Sequence, residues 1–300
     1  MDIIIPFVDG DDPEWLAVFC AAKHLYPRTE RAKKVLMYPF KRRFSSHGLF
    51  KYWWRALEKN YKSLTRVHLL LMQESQYPSF LRRDDPRIVV HYHRDYIPKR
   101  HRPCFNSSTI ELCAIKELAL TGNFILANDD MYFNAPVDDT YFESDGRPLT
   151  FIDSFESYGS DNQFRRTLCN DHRLVRNHYG LDSMPYYKWY HLFQVYNGEF
   201  CNDFLTKEWD HISSGFGAWR GPSDYNHMLL MMAQNCSGLS VHDPRFPHKG
   251  YYECPTFSPA KFADADSHQC ICLNDTDGRQ LATTFQYLEH KYHDPCSFEL

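Results

Sequence analysis

An apolar run that ends in three polar residues constrains this chain more than any other feature. Phe124-Ile-Leu-Ala127 has the composition of a buried strand, and Asn128, Asp129 and Asp130 follow it at once. Burying carboxylates is costly unless they are paired or bind a cation. In open α/β sheets, ligands lie beyond the carboxyl ends of the strands, where this triplet would stand. The pattern predicts a metal-binding edge, and an Asx turn or a helix N-cap stays open as the alternative.

Short apolar runs alternate with helical patterns along the first half of the chain. The clearest helix carries Phe50, Trp53, Trp54 and Leu57 on one stripe. Strands that alternate with helices are typical of an α/β fold with a parallel sheet. We predict strands over 3–8, 64–72, 87–93 and 124–128, helices over 50–60, 108–120, 223–233 and 280–292, and an irregular or short-helical stretch over 151–182.

Composition excludes several classes of protein. The net charge of -4 argues against a general nucleic-acid binder. No run of about 18 apolar residues exists, so the sequence predicts no membrane-spanning helix. The first residues lack the basic and apolar regions of a signal peptide, so we expect none. The ten cysteines form no C-x-x-C pair, so we expect reduced thiols in a cytoplasmic protein.

Two other positions suggest ligand contacts. Asp9-Gly10 directly follows the first predicted strand, where Gly10 would let the backbone approach a nucleotide and Asp9 could accept from its ribose or base. A tight turn explains the same pair. Arg55 lies inside an aromatic helix, so its guanidinium needs a partner, either a phosphate or a carboxylate such as Glu58.

Separated stretches carry a further pattern in chain order. They are Pro6–Trp15; Arg43-Phe44 with Tyr52, Arg55, Leu57 and Glu58, continued by Phe105-Asn-Ser107, Ile110-Glu111 and Phe124–Asp130; Met184-Pro185 with Arg220 and Asp224; and Cys272–Asp275 with Pro295–Leu300. Together they resemble the four signatures of the Stealth family. Its members are the sugar-1-phosphate transferases of bacterial capsule synthesis and the catalytic subunit of the lysosomal-enzyme N-acetylglucosamine-1-phosphotransferase.

The resemblance implies a Rossmann-like core similar to glycosyltransferase-A folds, with a helical or irregular insertion. It implies one catalytic domain over 1–300, with a nucleotide-sugar half (1–150), an acceptor region (151–265) and a C-terminal strand and helix (266–300). The implied activity is metal-dependent transfer of a sugar-1-phosphate from a nucleotide sugar, UDP-linked, to a glycan hydroxyl in capsule or exopolysaccharide synthesis. The product is a phosphodiester, and the leaving group is the nucleoside monophosphate. The alternatives are a glycosyltransferase that moves the sugar without phosphate and a catalytically impaired sugar-phosphate-binding relative.

The implied partners are the nucleotide-sugar donor and a polysaccharide or oligosaccharide acceptor, without nucleic acid. Association with the inner membrane would be peripheral at most, and homo-oligomerisation stays open.

The resemblance also assigns roles to residues. The implied ligands of Mg²⁺ or Mn²⁺ are Asp129, Asp130, Asn274 and Asp275, and the implied phosphate-binding residues are Arg43, Arg55 and Arg220. Further contacts with the nucleotide-sugar donor are implied for Asp9, Gly10, Asn106 and Asp224. The implied catalytic residues are Asp130, Arg220, His178 and His191. Arg220 and Asp224 could instead pair at a helix start, and Asn274-Asp275 could cap the last helix.

The chain departs from the family pattern in two places. Ser45-Ser46-His47-Gly48 replaces an acidic segment, and Ser183 stands where the family has the histidine implied as catalytic base. His178 and His191 are the nearest replacements for that base.

Overall fold

A five-stranded sheet forms the centre of the fold. The computed structural model describes residues 1–22, 44, 46–150, 153–155, 157–159, 163–188, 191–217, 225–243, 250–274 and 281–300. In spatial order the strands are β10 (Gln194–Asn197), β4 (Asn123–Leu126), β1 (Asp2–Pro6), β2 (Val67–Leu71) and β3 (Ile88–Tyr92). β10 is antiparallel to β4, whereas the other neighbours are parallel. The predicted α/β class with a mostly parallel sheet is confirmed.

The order of these strands creates a crevice at one edge of the sheet. The chain passes from β1 outward to β2 and β3, and then returns to the other side of β1 as β4. Such a reversal leaves an opening beyond the carboxyl ends of the two strands that flank it. Here those strands are β1 and β4, which pair in parallel. The hydrogen bond from Ala127 N to Ile4 O, 2.9 Å long, lies at the carboxyl end of this pairing. The segments that carry Asp9 and Asp130 therefore follow neighbouring parallel strands.

Helices cover both faces of the central sheet. They are α1 (Pro13–Ala22), α2 (Phe50–Asn60), α3 (Ser107–Leu118), α4 (Gln163–His178), α5 (Gly198–Ser214), α6 (Met228–Cys236) and α7 (Ala282–Lys291), with short turns at His93–Tyr96 and Phe262–Asp266. Successive side chains of a strand point to opposite faces. Ile3 and Ile5 accordingly pack into the core that contains α2, and Ile4 packs with α3, α5 and α6. The predicted stripe of α2 is buried along its whole length.

The stretch 151–182 was expected to be irregular or short-helical, and this prediction is wrong. Helix α4 runs for 16 residues, and its four arginines, two leucines and one glutamine are good helix formers. Leu168, Leu174 and Val175 are buried in the same core as α6, and this burial adds to the local preference for a helix.

A second sheet connects the C-terminal part of the chain to the end of β4. Its strands are β12 (Tyr251–Glu253), β13 (Cys270–Asn274) and β5 (Met131–Phe133), in that order. Cys272 lies opposite Met131, and Leu273 N donates to Asp130 O over 2.8 Å. This pairing holds β13 beside the acidic triplet.

The remaining strands form two small sheets. These are β6 (Glu143–Ser144), β7 (Arg147–Thr150) and β11 (Val241–His242), and the pair β8 (Asp153–Phe155) and β9 (Tyr186–Lys188).

Two features concern the chain as a whole. No helix in the described ranges has both the length and the apolar character needed to cross a bilayer. All ten cysteines are free thiols. The division into regions at residues 150 and 265 stays a prediction.

Candidate functional site

The carboxylate of Asp130 is the centre of the site. Its Oδ2 accepts a hydrogen bond of 3.0 Å from Asn274 Nδ2 and lies 3.3 Å from His191 Nε2. The thiol of Cys272 also hydrogen-bonds this carboxylate. Its other oxygen, Oδ1, is buried without a hydrogen-bond partner. A buried carboxylate oxygen without a partner is unfavourable, so this atom is available to a cation.

Strand pairing brings these residues together. His191 lies just before β10, which pairs antiparallel with β4 so that Gln194 is opposite Leu126. Cys272 and Asn274 lie two residues apart on β13, and β13 pairs with β5 immediately after Asp130. Residues two apart on a strand share a face. The pairing of β10 with β4 and the pairing of β13 with β5 therefore both place side chains next to the carboxylate of Asp130.

The electrostatics of the site are those of two adjacent acids with one nearby base. Burial, together with the charge of Asp130, raises the pKa of Asp129 to about 7. Burial acts in the same direction on Asp130, but the charge and hydrogen bond of His191 outweigh it and hold the pKa of Asp130 below its ordinary value. In return, Asp130 raises the pKa of His191 against the opposing effect of burial. A cation would stabilise both carboxylates in their ionised form.

The side chains around Asp130 fit a divalent cation. Asp130, His191 and Cys272 each offer one ligand atom, and these atoms all lie within 4.8 Å of one another. The unpartnered Oδ1 adds an oxygen donor of the kind that Mg²⁺ and Mn²⁺ take, whereas Asp129, also predicted as a ligand, is not among the three residues whose ligand atoms lie together. Asn274, predicted as a ligand, here points its amide nitrogen at Asp130.

The loop after β1 is held by internal bonds. Asp9 Oδ1 accepts from Asp11 N over 3.0 Å, and Gly10 N donates to Phe44 O over 2.6 Å. A Cβ at Gly10 would lie 2.7 Å from that carbonyl oxygen. The close approach that glycine permits here is therefore to the backbone of Phe44. The turn that we left open as an alternative describes this loop, and its predicted contact with a nucleotide stays a prediction.

Arg55 hydrogen-bonds residues near the C-terminal end of the chain. Its Nε and Nη2 donate to the two oxygens of Glu299 over 2.6 and 2.8 Å, and its Nη1 donates to the carbonyls of Tyr292 and His293. Both charged side chains are 10% exposed. The alternative of a carboxylate partner thus describes the geometry, with Glu299 in place of Glu58. Most donors of this guanidinium are already used, which disfavours the predicted role in phosphate binding.

Two further predicted residues have partners outside the Asp130 cluster. His178, at the end of α4, hydrogen-bonds Glu208 of α5 through Nδ1, and its ring contacts Phe204. Asn106 is the N-cap of α3, where its side chain accepts from Ser108 N over 3.1 Å. Of the two histidines proposed as base, the structure brings only His191 to the acidic triplet. Arg43, Arg220, Asp224 and Asp275 lie outside the described residues.

Two residues near the site were missed by the sequence analysis. Cys272 could have been found, since a strand that directs Asn274 toward the site directs residue 272 to the same face. Tyr251 carries no such signal. It lies opposite Cys272 on β12, its side chain is 37% exposed, and its ring centroid is 6.3 Å from that of His191.

Comparison with protein families matches part of the chain. The family model described as Stealth protein CR2, conserved region 2, matches residues 43–149, which include both carboxylates of the acidic triplet. Residues 43–149 are therefore similar to the second conserved region of the Stealth family. The resemblance found in the sequence is confirmed. His191, Cys272 and Asn274 lie outside the matched region, so their place in the site follows from the structure.

Curated relatives of this chain are polysaccharide phosphotransferases by name. The receptor polysaccharide phosphotransferase WefC of Streptococcus oralis is 27% identical, with 100% of this chain and 99% of WefC covered. A capsular polysaccharide phosphotransferase WcwK of Streptococcus pneumoniae is 23% identical over 100% of this chain and 98% of its own length. The exopolysaccharide phosphotransferase cps2G of Lactiplantibacillus plantarum is 32% identical, with 49% of this chain and 41% of cps2G covered.

Among solved structures, the galactosyltransferase LgtC in complex with donor and acceptor sugar analogues aligns with 99% of this chain and 98% of its own. The TM-score is 0.41 and the identity 11%, a likeness too distant to support an argument about the site.

Proposed function

We propose that this chain transfers a sugar-1-phosphate from a UDP-sugar to a hydroxyl of a capsular or exopolysaccharide glycan. That the chain is a transferase is confirmed by its relatives, since WefC and WcwK are phosphotransferases and align along the whole chain. The observation that carries the finer proposal is the cluster around Asp130. It places a carboxylate oxygen available to a cation next to an imidazole that can take a proton.

The proposed reaction forms one P–O bond and breaks another. The acceptor oxygen attacks the phosphorus that bears the sugar, and the bond from this phosphorus to the bridging oxygen breaks. The bridging oxygen leaves with the nucleoside monophosphate. The proton of the acceptor hydroxyl passes to a base, and the glycan keeps a phosphodiester. Phosphoryl transfer of this kind depends mainly on positioning and on neutralisation of charge.

The two oxygens of Asp130 support separate tasks. Oδ1, with Asp129 beside it, would hold Mg²⁺ or Mn²⁺, and Asp275 remains a predicted ligand of the same ion. The ion would supply positive charge against the pyrophosphate oxygens. Oδ2 orients His191, and its negative charge would stabilise the imidazolium that forms when the neutral ring takes the hydroxyl proton. A base at this position would replace the histidine that the family has at Ser183.

Other residues would bind the donor and the acceptor. Arg43, Arg220 and Asp224 stay predicted donor contacts, together with Asp9, Gly10 and Asn106. The half-exposed ring of Tyr251 beside His191 offers an apolar face on which a sugar could stack. The geometry favours a structural role for Arg55.

The test is to incubate the purified chain with a UDP-sugar, Mg²⁺ and an oligosaccharide acceptor. We expect release of UMP and a phosphodiester signal in the ³¹P NMR spectrum of the product. Release of UDP with an unphosphorylated product would establish the glycosyltransferase alternative instead. Asp130→Asn should abolish product formation. Asp84→Asn, which changes an exposed carboxylate paired with Arg82, is the matched control and should leave the rate unchanged.

A further inference from the structure

We propose that Asp130, His191 and Cys272 form a site that binds a zinc-class divalent cation more tightly than Mg²⁺, with Cys272 as a thiolate ligand. The proposal concerns the side chains of the proposed function but does not depend on the reaction: this cation would lie between Asp130 Oδ2 and His191 Nε2, where it would occupy the imidazole that otherwise acts as base. Its basis is the mixed set of donors: one carboxylate oxygen, one imidazole nitrogen and one sulfur, whose atoms all lie within 4.8 Å of one another.

The chemistry of these donors distinguishes between cations. Mg²⁺ prefers oxygen ligands in an octahedral arrangement and gains little from sulfur or imidazole. Zn²⁺ takes sulfur at about 2.3 Å and nitrogen or oxygen at about 2.0–2.2 Å, with three protein ligands and one open position in catalytic sites. The 3.3 Å between Asp130 Oδ2 and His191 Nε2 already matches two ligands of one tetrahedral ion. The third donor, the sulfur of Cys272, should therefore raise the affinity of the site for a borderline cation such as Zn²⁺ over a hard cation such as Mg²⁺.

Burial arranges the three donors from the surface inward. The side chain of His191 is 38% exposed and that of Asp130 is 21% exposed, whereas Cys272 is fully buried. A cation would enter past His191 and meet the sulfur behind the carboxylate. The Cys272 thiol hydrogen-bonds Asp130, and it would lose its proton to solvent as a metal–sulfur bond forms.

A matched pair of substitutions tests the role of sulfur. Cys270 lies two residues before Cys272 on β13, is equally buried, and hydrogen-bonds Tyr141 outside the cluster. Cys270→Ser and Cys272→Ser therefore make the same chemical change at similar depth. Zn²⁺ affinity is measured by competition with a chromophoric chelator. We expect Cys272→Ser to weaken Zn²⁺ binding by more than about 100-fold, beyond the effect typical of a residue that only supports a ligand. Cys270→Ser should bind as the wild type does.

Co²⁺ provides a direct readout of ligation. The wild type and Cys270→Ser loaded with Co²⁺ should show the near-ultraviolet charge-transfer band of a thiolate ligand, and Cys272→Ser should lack it. Absence of the band in the wild type, or equal Zn²⁺ affinity in both serine variants, would overturn the proposal. If Cys272→Ser does not fold, His191→Gln at the exposed side of the site takes its place and must also weaken Zn²⁺ binding. These measurements need no sugar donor, so a failure of the proposed reaction would be recognised separately.

Discussion

Replacing Arg55 by methionine removes a guanidinium that makes four hydrogen bonds, two to Glu299 and one each to the carbonyls of Tyr292 and His293. Both members of the ion pair are 10% exposed, so water can replace few of these bonds. Removing one partner of a buried pair costs about 3–5 kcal/mol because the other charge stays buried without compensation. We expect Arg55→Met to lower the free energy of unfolding by about 3 kcal/mol.

Glu299→Gln tests the same contact from the other side. The amide keeps the shape of the side chain but loses the charge and one acceptor, so we expect a smaller loss of about 2 kcal/mol. Because both changes break one interaction, the double variant should be less destabilised than the sum of the single variants. Urea denaturation followed by tryptophan fluorescence measures all three variants. Arg82→Met is the control, since its exposed pair with Asp84 should contribute little.

A different result would refute this structural role. If Arg55→Met leaves the free energy of unfolding unchanged and raises KM for the sugar donor, while Glu299→Gln changes neither, then Arg55 binds phosphate as the sequence predicted.

The ion pair also predicts how stability depends on pH. Burial acts to raise the pKa of Glu299, but the hydrogen bonds and charge of Arg55 hold it below the ordinary value of 4.5. The unfolded chain therefore takes up this proton at a higher pH than the folded chain does. The stabilisation is complete above about pH 4.5 and is lost as the pH falls through the folded pKa. Glu299→Gln should weaken this loss of stability in acid, and an unchanged acid dependence would contradict the assignment.

Four further predictions concern the site and its scaffold. His191→Ala should lower kcat by about 10²–10⁴-fold, whereas His178→Ala should leave kcat unchanged, and initial rates with a saturating donor measure both. Chelation by EDTA should abolish transfer and added Mg²⁺ should restore it, so activity that survives exhaustive chelation would contradict a cation-dependent mechanism. Gly198→Ala would place a Cβ 2.0 Å from Leu120 O, and thermal unfolding should show a loss of more than about 1–3 kcal/mol. Tyr251→Leu should raise KM for a sugar substrate while Tyr251→Phe does not, and equal KM values would exclude stacking.

Much of the scaffold could be predicted because its signals are local. The stripe of α2 repeats at helical spacing, and residues 124–127 form an unbroken apolar run before Asn128, so each pattern identifies its own element. The prediction failed at α4, whose buried stripe of Leu168, Asp171 and Val175 follows helical spacing but includes a carboxylate, among positions that are otherwise mostly polar. Asp130 could be recognised from the sequence because burying a carboxylate directly after an apolar strand is costly unless the carboxylate has a partner.

The partners themselves could only be decided by the tertiary structure. Asp130 meets His191 from 61 residues away and Asn274 from 144, and Arg55 meets Glu299 from 244. No local pattern encodes which of two histidines, or which of several carboxylates, arrives at a given place. That choice depends on the pairing of β10 with β4 and of β13 with β5, because these registers determine which side chains face each other. The sequence by itself determined the α/β class, the resemblance to the Stealth family and the acidic edge, while the strand pairings decided the imidazole, the thiol and the amide that surround it.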